Sequence, residues 1–358
     1  MYGLRGTIMK EQLSFNSTLS LFNSLIKPIA LYGAPIWSPQ LPEAKTTTKN
    51  IDSVDPTLIR KLSSSKLNRL HLSYLKWAMG VSRKTTNATV YGDTGTRPLS
   101  LEALEITIKY LQRIAKLPSS GTTLVNQAYL EQKTRNLPWY NSLRPLLERD
   151  PIYNQDHVSA HKTITTGTSP SINSKCSPAT LDIKPLISQK FRTDRVLSCL
   201  RNTFNMSWVA TTVNSSKLSF YNTCEKLDQP TLRSYLGLSN FNYRSSIAKL
   251  KTSSHPLNIE TGRYTNIPRD NRYCPWCKSL NIHEVESEEH ALDHCSLYKD
   301  SRDNLRKDPE IFLLSHHPLT SIFHNLHNYH PRIAGLVACF VHAIITTREK
   351  FAKGQKPA

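Results

Sequence analysis

The sequence predicts a mainly α-helical protein, a helical domain followed by a second helical domain that carries a small metal-stapled motif. Three observations predict it. Apolar residues recur at helical spacing in several windows of the 358-residue chain. A stretch rich in Ser, Thr, Asn and Pro separates two such regions. Three of the seven cysteines gather with histidines in the 22 residues from Cys274 to Cys295. The expected division is a helical domain over 1–150, a linker over 151–185, the motif-bearing domain over 186–310 and C-terminal helices over 311–358.

Taken in order, residues 12–36 read as a helix and a break. Leu19, Phe22, Leu25 and Ile26 share a face, Pro28 kinks or ends the helix, and Tyr32–Pro35 form a turn. Residues 38–64, rich in Pro, Thr, Lys and Ser, read as a loop. A helix from about Lys66 to Met79 turns Leu67, Leu70, Tyr74 and Trp77 inward and ends at Gly80. Gly92–Gly95 read as a turn. Ser100 then caps a helix over 101–117 with Leu101, Leu104, Ile108 and Leu111 on one face. Helical patterning resumes near Ile187–Leu200 and continues through Trp208 and Lys217–Leu227. Pro331–Phe351 reads as one apolar helix.

Charge narrows the choice of partner. Forty-six Lys and Arg face 27 Asp and Glu, a net charge of +19. Such an excess favours a polyanion, nucleic acid first and an acidic membrane surface second. Its distribution is uneven: residues 1–120 carry a net +9, residues 121–260 a net +8, and residues 261–310 a net −2. Met1–Lys10 is too polar for a signal peptide, and the longest apolar run, Ile333–Ile345, is short of the ~20 residues that span a bilayer. An intracellular chain, nuclear or cytoplasmic, with reduced thiols and no membrane partner is expected.

The cysteine cluster reads C-x2-C-x12-H-x4-C: Cys274, Cys277, His290 and Cys295. Zn²⁺ takes four soft or borderline ligands in a tetrahedron, and two close pairs joined by a loop supply them. His294 competes as a ligand, because i,i+4 spacing puts it on the helical face of His290. His290–His294 also resembles the zincin H-E-x-x-H, but alanine stands where the general base would be, so no protease is expected. Three thiolates leave a zinc site at −1, and Glu284, Glu286, Glu288 and Glu289 add acid beside it, read as a solvated loop. Phosphate contacts are therefore expected on Arg244, Lys249, Lys251, Arg263, Arg269 and Arg272, with Trp276 as a stacking residue.

Two blocks extend this reading. Leu21–Trp37 (LFNSLIKPIALYGAPIW) resembles the "sLIrPvllYGseiW" signature that follows the palm in reverse transcriptases of non-LTR, LINE-type retrotransposons. Leu70–Val81 is similar to the family's "hlrFlkrvLGv", and Ala88–Leu104 to "avygElGrlPLsieal", with Asp93 in place of the Glu. Downstream, Lys249–Arg263 ends Ile-Glu-Thr-Gly-Arg. Arg272–Cys277 and Glu289–Tyr298 then resemble the C-terminal "RxCxxC…EdEeHfllxCpxY". The order of these pieces carries the resemblance. It implies a helical thumb that packs on template–primer duplex, and a CCHC zinc motif that assists RNA or target-DNA binding. It also implies that Cys274, Cys277, His290 and Cys295 hold Zn²⁺, and that the chain associates with a full-length reverse transcriptase.

Two-metal polymerisation needs clustered carboxylates, which the family supplies from an Asp-Asp loop in the palm. Thirteen aspartates occur here and no two are adjacent. The chain is thus expected to be a non-catalytic, nucleic-acid-binding fragment of such a polyprotein. The alternatives are an accessory part that completes a polymerase with a separate palm, and a zinc-stapled protein-interaction module.

Overall fold

The computed structural model describes residues 13–41, 58–117, 123–147, 190–224 and 227–354. The expected linker over 151–185 and both of its boundaries lie outside the described residues. Helices dominate; among the described residues strand pairing is limited to two isolated bridges, Thr94 with Leu232 and Tyr273 with Val285. No helix among them is long and apolar enough to cross a membrane. The chain divides into two compact units, each discontinuous in sequence. One comprises 30–68 and 97–207; the other comprises 1–29, 69–96 and 208–358.

The first unit is organised by the helix Leu99–Ala115, which buries Leu104, Ile108, Leu111 and Ile114 and packs on the short helix Ala34–Trp37. A buried hydroxyl pair, Ser38 and Thr107 at 2.6 Å, closes that contact. The helix begins directly behind Pro98, so Ser100 lies inside it instead of capping it. Ser100 is buried and pairs with Asn68, accepting from Nδ2 at 2.7 Å and donating its N–H to Oδ1 at 3.1 Å. Arg201 grips Glu105 through two bonds of 2.9 and 2.7 Å.

In the second unit the helix Phe15–Leu21 runs through a π-turn at Phe22–Ile26 into Lys27–Ala30. Pro28, expected to kink or end this helix, sits inside its last turn, just behind the π-turn. A proline ring crowds the carbonyl four residues earlier, and the widened turn just upstream gives that room. The expected turn at 92–95 is also helical, since Asn87–Thr94 is one helix and Gly95 alone turns left-handed, with φ 63. Gly92 faces the Tyr221 hydroxyl and the Trp208 ring, which leave no space for a Cβ. Gly80 ends the helix Lys66–Met79 with φ 71, as the sequence predicts. The helix Pro331–Ala352 packs along Phe241–Lys251 and buries Ile333, Val337, Phe340, Val341 and Ile344.

Two buried ionic clusters lie in this unit. Asp93, fully buried, accepts from Lys251 Nζ at 2.9 Å, Tyr221 at 2.9 Å and Tyr235 at 2.6 Å. Glu286 takes Arg348 through bonds of 2.6 and 3.2 Å.

His71 gives the unit an acid response. It is buried and stacked on Phe22 at 5.0 Å. Burial, and then the charge of Lys27, lower its pKa from 6.5 to about 3. Between those values the unfolded chain binds the extra proton. Stability from this group is therefore intact above pH 6.5 and falls toward pH 3, by up to ~1.4 kcal/mol per pH unit. His71→Phe should flatten that slope, read from denaturation midpoints at pH 7 and pH 5. Equal acid sensitivity of parent and variant would contradict the assignment.

Candidate metal centre

The centre is built from two local turns. Cys274 precedes the short helix Pro275–Ser279, with Pro275 at its first position, where a missing N–H costs nothing. Lys278 donates to the Cys274 carbonyl, and both Leu280 and Ile282 to that of Cys277, each at 2.9 Å. Asn281 makes the reversal with φ 61. The chain then returns antiparallel, Cys274 donating to the Glu284 carbonyl at 2.7 Å and Glu286 to that of Arg272 at 2.9 Å.

The second pair rests on backbone geometry that a 3.6-residue period does not anticipate. His290–His294 is a π-turn, and the Cys295 N–H reaches back five residues to the His290 carbonyl at 2.8 Å. That wider turn brings residues 290 and 295 to one side. His294, the competing ligand in the sequence, is exposed. Arg302 fixes the turn from below, donating to the carbonyls of Leu292 at 3.1 Å and Cys295 at 2.9 Å.

Cys274, Cys277, His290 and Cys295 are all buried, and their donor atoms lie within 4.8 Å of one another. The Cys295 sulfur is 3.8 Å from each of the other two, and His290 Nε2 is 3.4 Å from Cys277 Sγ. This arrangement could hold a metal ion. Three thiols so close cannot all ionise by themselves. A hydrogen bond from Cys295 pulls Cys274 down to about 4, and the same contact drives Cys295 upward. A divalent cation reconciles three thiolates with one another, and the donor set fits one. Among the described residues no other group of three or more such donors converges.

Neighbouring residues have structural roles. Glu284 Oε2 lies 2.7 Å from His290 Nδ1, where a carboxylate steadies a ligating imidazole, although it stands off the line of the N–H. Asp293, inside the protease-like pentapeptide, caps the helix Leu319–His324. It accepts from the N–H groups of Leu319 at 2.6 Å and Thr320 at 3.1 Å. The acidic run is not one solvated loop. Glu286 is buried against Arg348 and Glu288 against His255 at 3.0 Å, which leaves Glu284 and Glu289 exposed.

The expected phosphate contacts separate in the same way. Arg244 is buried, its guanidinium donating to the carbonyls of Leu238, Ser239 and Leu13 at 3.1, 3.2 and 2.9 Å. Lys251 is buried on Asp93. Neither faces solvent, and both leave the set of candidate contacts. Arg272 lays its stem over Gly262, where a Cβ would collide, and bonds the carbonyls of Ile267 at 2.9 Å and Ile259 at 2.7 Å. Lys249 is half-buried. Trp276 is half-buried too, bonded to the Ser296 hydroxyl at 3.1 Å and edge-on to Phe351. Arg263 and Arg269 stay accessible, Arg269 touching the Ser219 hydroxyl at 3.3 Å. Sequence reasoning passed over Lys84, Lys217 and Tyr264, whose grouping depends on long-range folding. No family model, no curated protein and no solved structure matches the chain.

Proposed function

We propose that the chain is a non-catalytic nucleic-acid-binding part of a LINE-type reverse transcriptase, its thumb and C-terminal portion, held by one structural Zn²⁺. Zinc is the ion that suits three thiolates and one imidazole in a closed, buried site without redox chemistry. Cys274, Cys277, His290 and Cys295 would be its ligands. Four protein ligands would fill the tetrahedron and leave no open position for catalysis, so the metal would serve the fold. The ordered motifs from Leu21 to Tyr298 support the family reading. The missing Asp-Asp pair supports the absence of polymerase chemistry in this chain.

The observation that carries the binding reading is charge. The chain holds +19 overall but −2 over residues 261–310, so the cationic excess comes from the other stretches of the sequence. Arg83, Lys84, Lys109, Arg113, Lys116 and Arg269 are exposed. The partner is RNA or DNA, template–primer or target.

The test is binding of labelled RNA to the full chain, by anisotropy at low salt with zinc present. Binding in the micromolar range or tighter is expected. No binding at 50 mM salt would end this reading in favour of a protein-interaction module. Primer extension with and without an added palm chain separates the accessory role.

A further inference from the structure

A turn outside the metal centre assembles a basic surface. Thr252 closes the helix Phe241–Lys251, and Ser253 takes a left-handed conformation, φ 51, without being glycine. A residue other than glycine holds that conformation only where its surroundings fix it. Here the Ser253 hydroxyl donates to the Lys217 carbonyl at 2.9 Å. The Ser254 hydroxyl accepts the Ser82 N–H at 3.1 Å and meets the Thr85 hydroxyl at 2.9 Å. Two distant segments, 82–85 and Lys217, are thereby pinned to one turn.

Their side chains meet around Tyr264. Lys84 Nζ stands 5.0 Å from the centre of its ring. Lys217 Nζ is 3.0 Å and Arg263 Nη1 3.7 Å from the two oxygens of Glu260, and the Tyr264 hydroxyl is 3.5 Å from one of them. Lys76 sits behind, donating to the Arg83 carbonyl at 3.0 Å. Burial, and then the charge of Lys217, lower the Lys76 pKa to about 8. Lys217 and Arg263 share the Glu260 carboxylate, while Lys84 lies over the Tyr264 ring and is exposed, as is Arg83 beside it in sequence. Tyr264 is 60% exposed, so the packing of the unit does not account for it. Thr265 and Asn266 beside it are exposed and polar, which suits a nucleic acid better than the apolar interior of a bilayer.

We infer that this surface binds single-stranded nucleic acid, with phosphates on Lys84, Lys217 and Arg263 and one unpaired base on Tyr264. The inference rests on the nucleic-acid reading above and narrows it, because a base can stack on a side chain only when it is free of its duplex. Arg263 is the one member that sequence reasoning also assigned to phosphate.

The experiment compares a labelled single-stranded RNA with a duplex of the same length, using the full metal-loaded chain. Tyr264→Ala should weaken single-strand binding about tenfold while leaving the salt dependence and the duplex affinity unchanged. Tyr264→Phe should restore the single-strand affinity, which a loss of fold would not allow. Lys84→Ala should weaken both and flatten the log–log salt slope by roughly 0.7 to 0.9. If the parent binds RNA and all three variants bind as the parent does, the surface is elsewhere and only this inference falls. If the parent binds no RNA, the broader reading falls with it. Binding to phosphatidylserine vesicles that depends on Lys84, with no competition from RNA, would overturn the inference in favour of a membrane surface.

Discussion

Stripping the metal from the reduced chain should unfold the segment from about 272 to 298 and lower the melting temperature of its unit by more than about 10 °C. The driving quantity is large: structural zinc contributes roughly 10–16 kcal/mol in small metal-folded peptides, comparable with the whole stability of a domain at ~5–15 kcal/mol. Within the segment the one strand-like pairing among the described residues is the Tyr273–Val285 bridge, so its two turns depend on the metal to stay together. Hydrogen exchange gives the local readout. The N–H groups of Cys274, Ile282, Glu286 and Cys295, all bonded within the turns, should lose protection together. Cys277→Ser should bind less than one zinc per chain and show the same pattern. Complete metal removal with unchanged melting and unchanged exchange would rule out a structural metal.

Asp93→Asn should destabilise the same unit by about 3–5 kcal/mol. The substitution takes the carboxylate from the Lys251 ammonium inside the core, beside the rings of Tyr221 and Tyr235, and a buried charge that loses its counter-ion carries that penalty. The partner substitution distinguishes charge from packing. Asp93→Asn combined with Lys251→Met removes both charges and should recover most of the loss, because burying two ions offsets much of their attraction. Denaturant midpoints measure both variants. Equal destabilisation by the single and the double change would show that Asp93 acts through shape and hydrogen bonding instead.

The converging cluster of Cys274, Cys277, His290 and Cys295 was legible in the sequence because thiols and imidazole at such short paired spacings suit a metal. The choice between His294 and Cys295 was not, because the i,i+4 spacing describes an α-turn and the chain makes a π-turn. The helices at 66–79 and 331–352 follow from their apolar period and end where glycine or proline directs. Gly92–Thr94 misled because local preference yields when neighbours reward the helix. Buried cations were the least legible. Lys251 finds Asp93 across 158 residues and Arg244 finds Leu13 across 231, and nothing near either marks it as internal. Net charge counts such residues with the exposed ones, so it predicts a polyanion without saying which cations meet it.

Salt dependence of RNA binding by the full, metal-loaded chain tests the central claim most directly. Each phosphate neutralised releases counterions, so log affinity should fall linearly with log salt, with a slope of roughly −0.7 to −0.9 for each contact. A metal-stapled nucleic-acid binder should show a slope of about −2 or steeper, from cations such as Lys84, Lys217 and Arg263. A flat dependence, or binding lost only when the metal ligands are changed and the fold is intact, would contradict it.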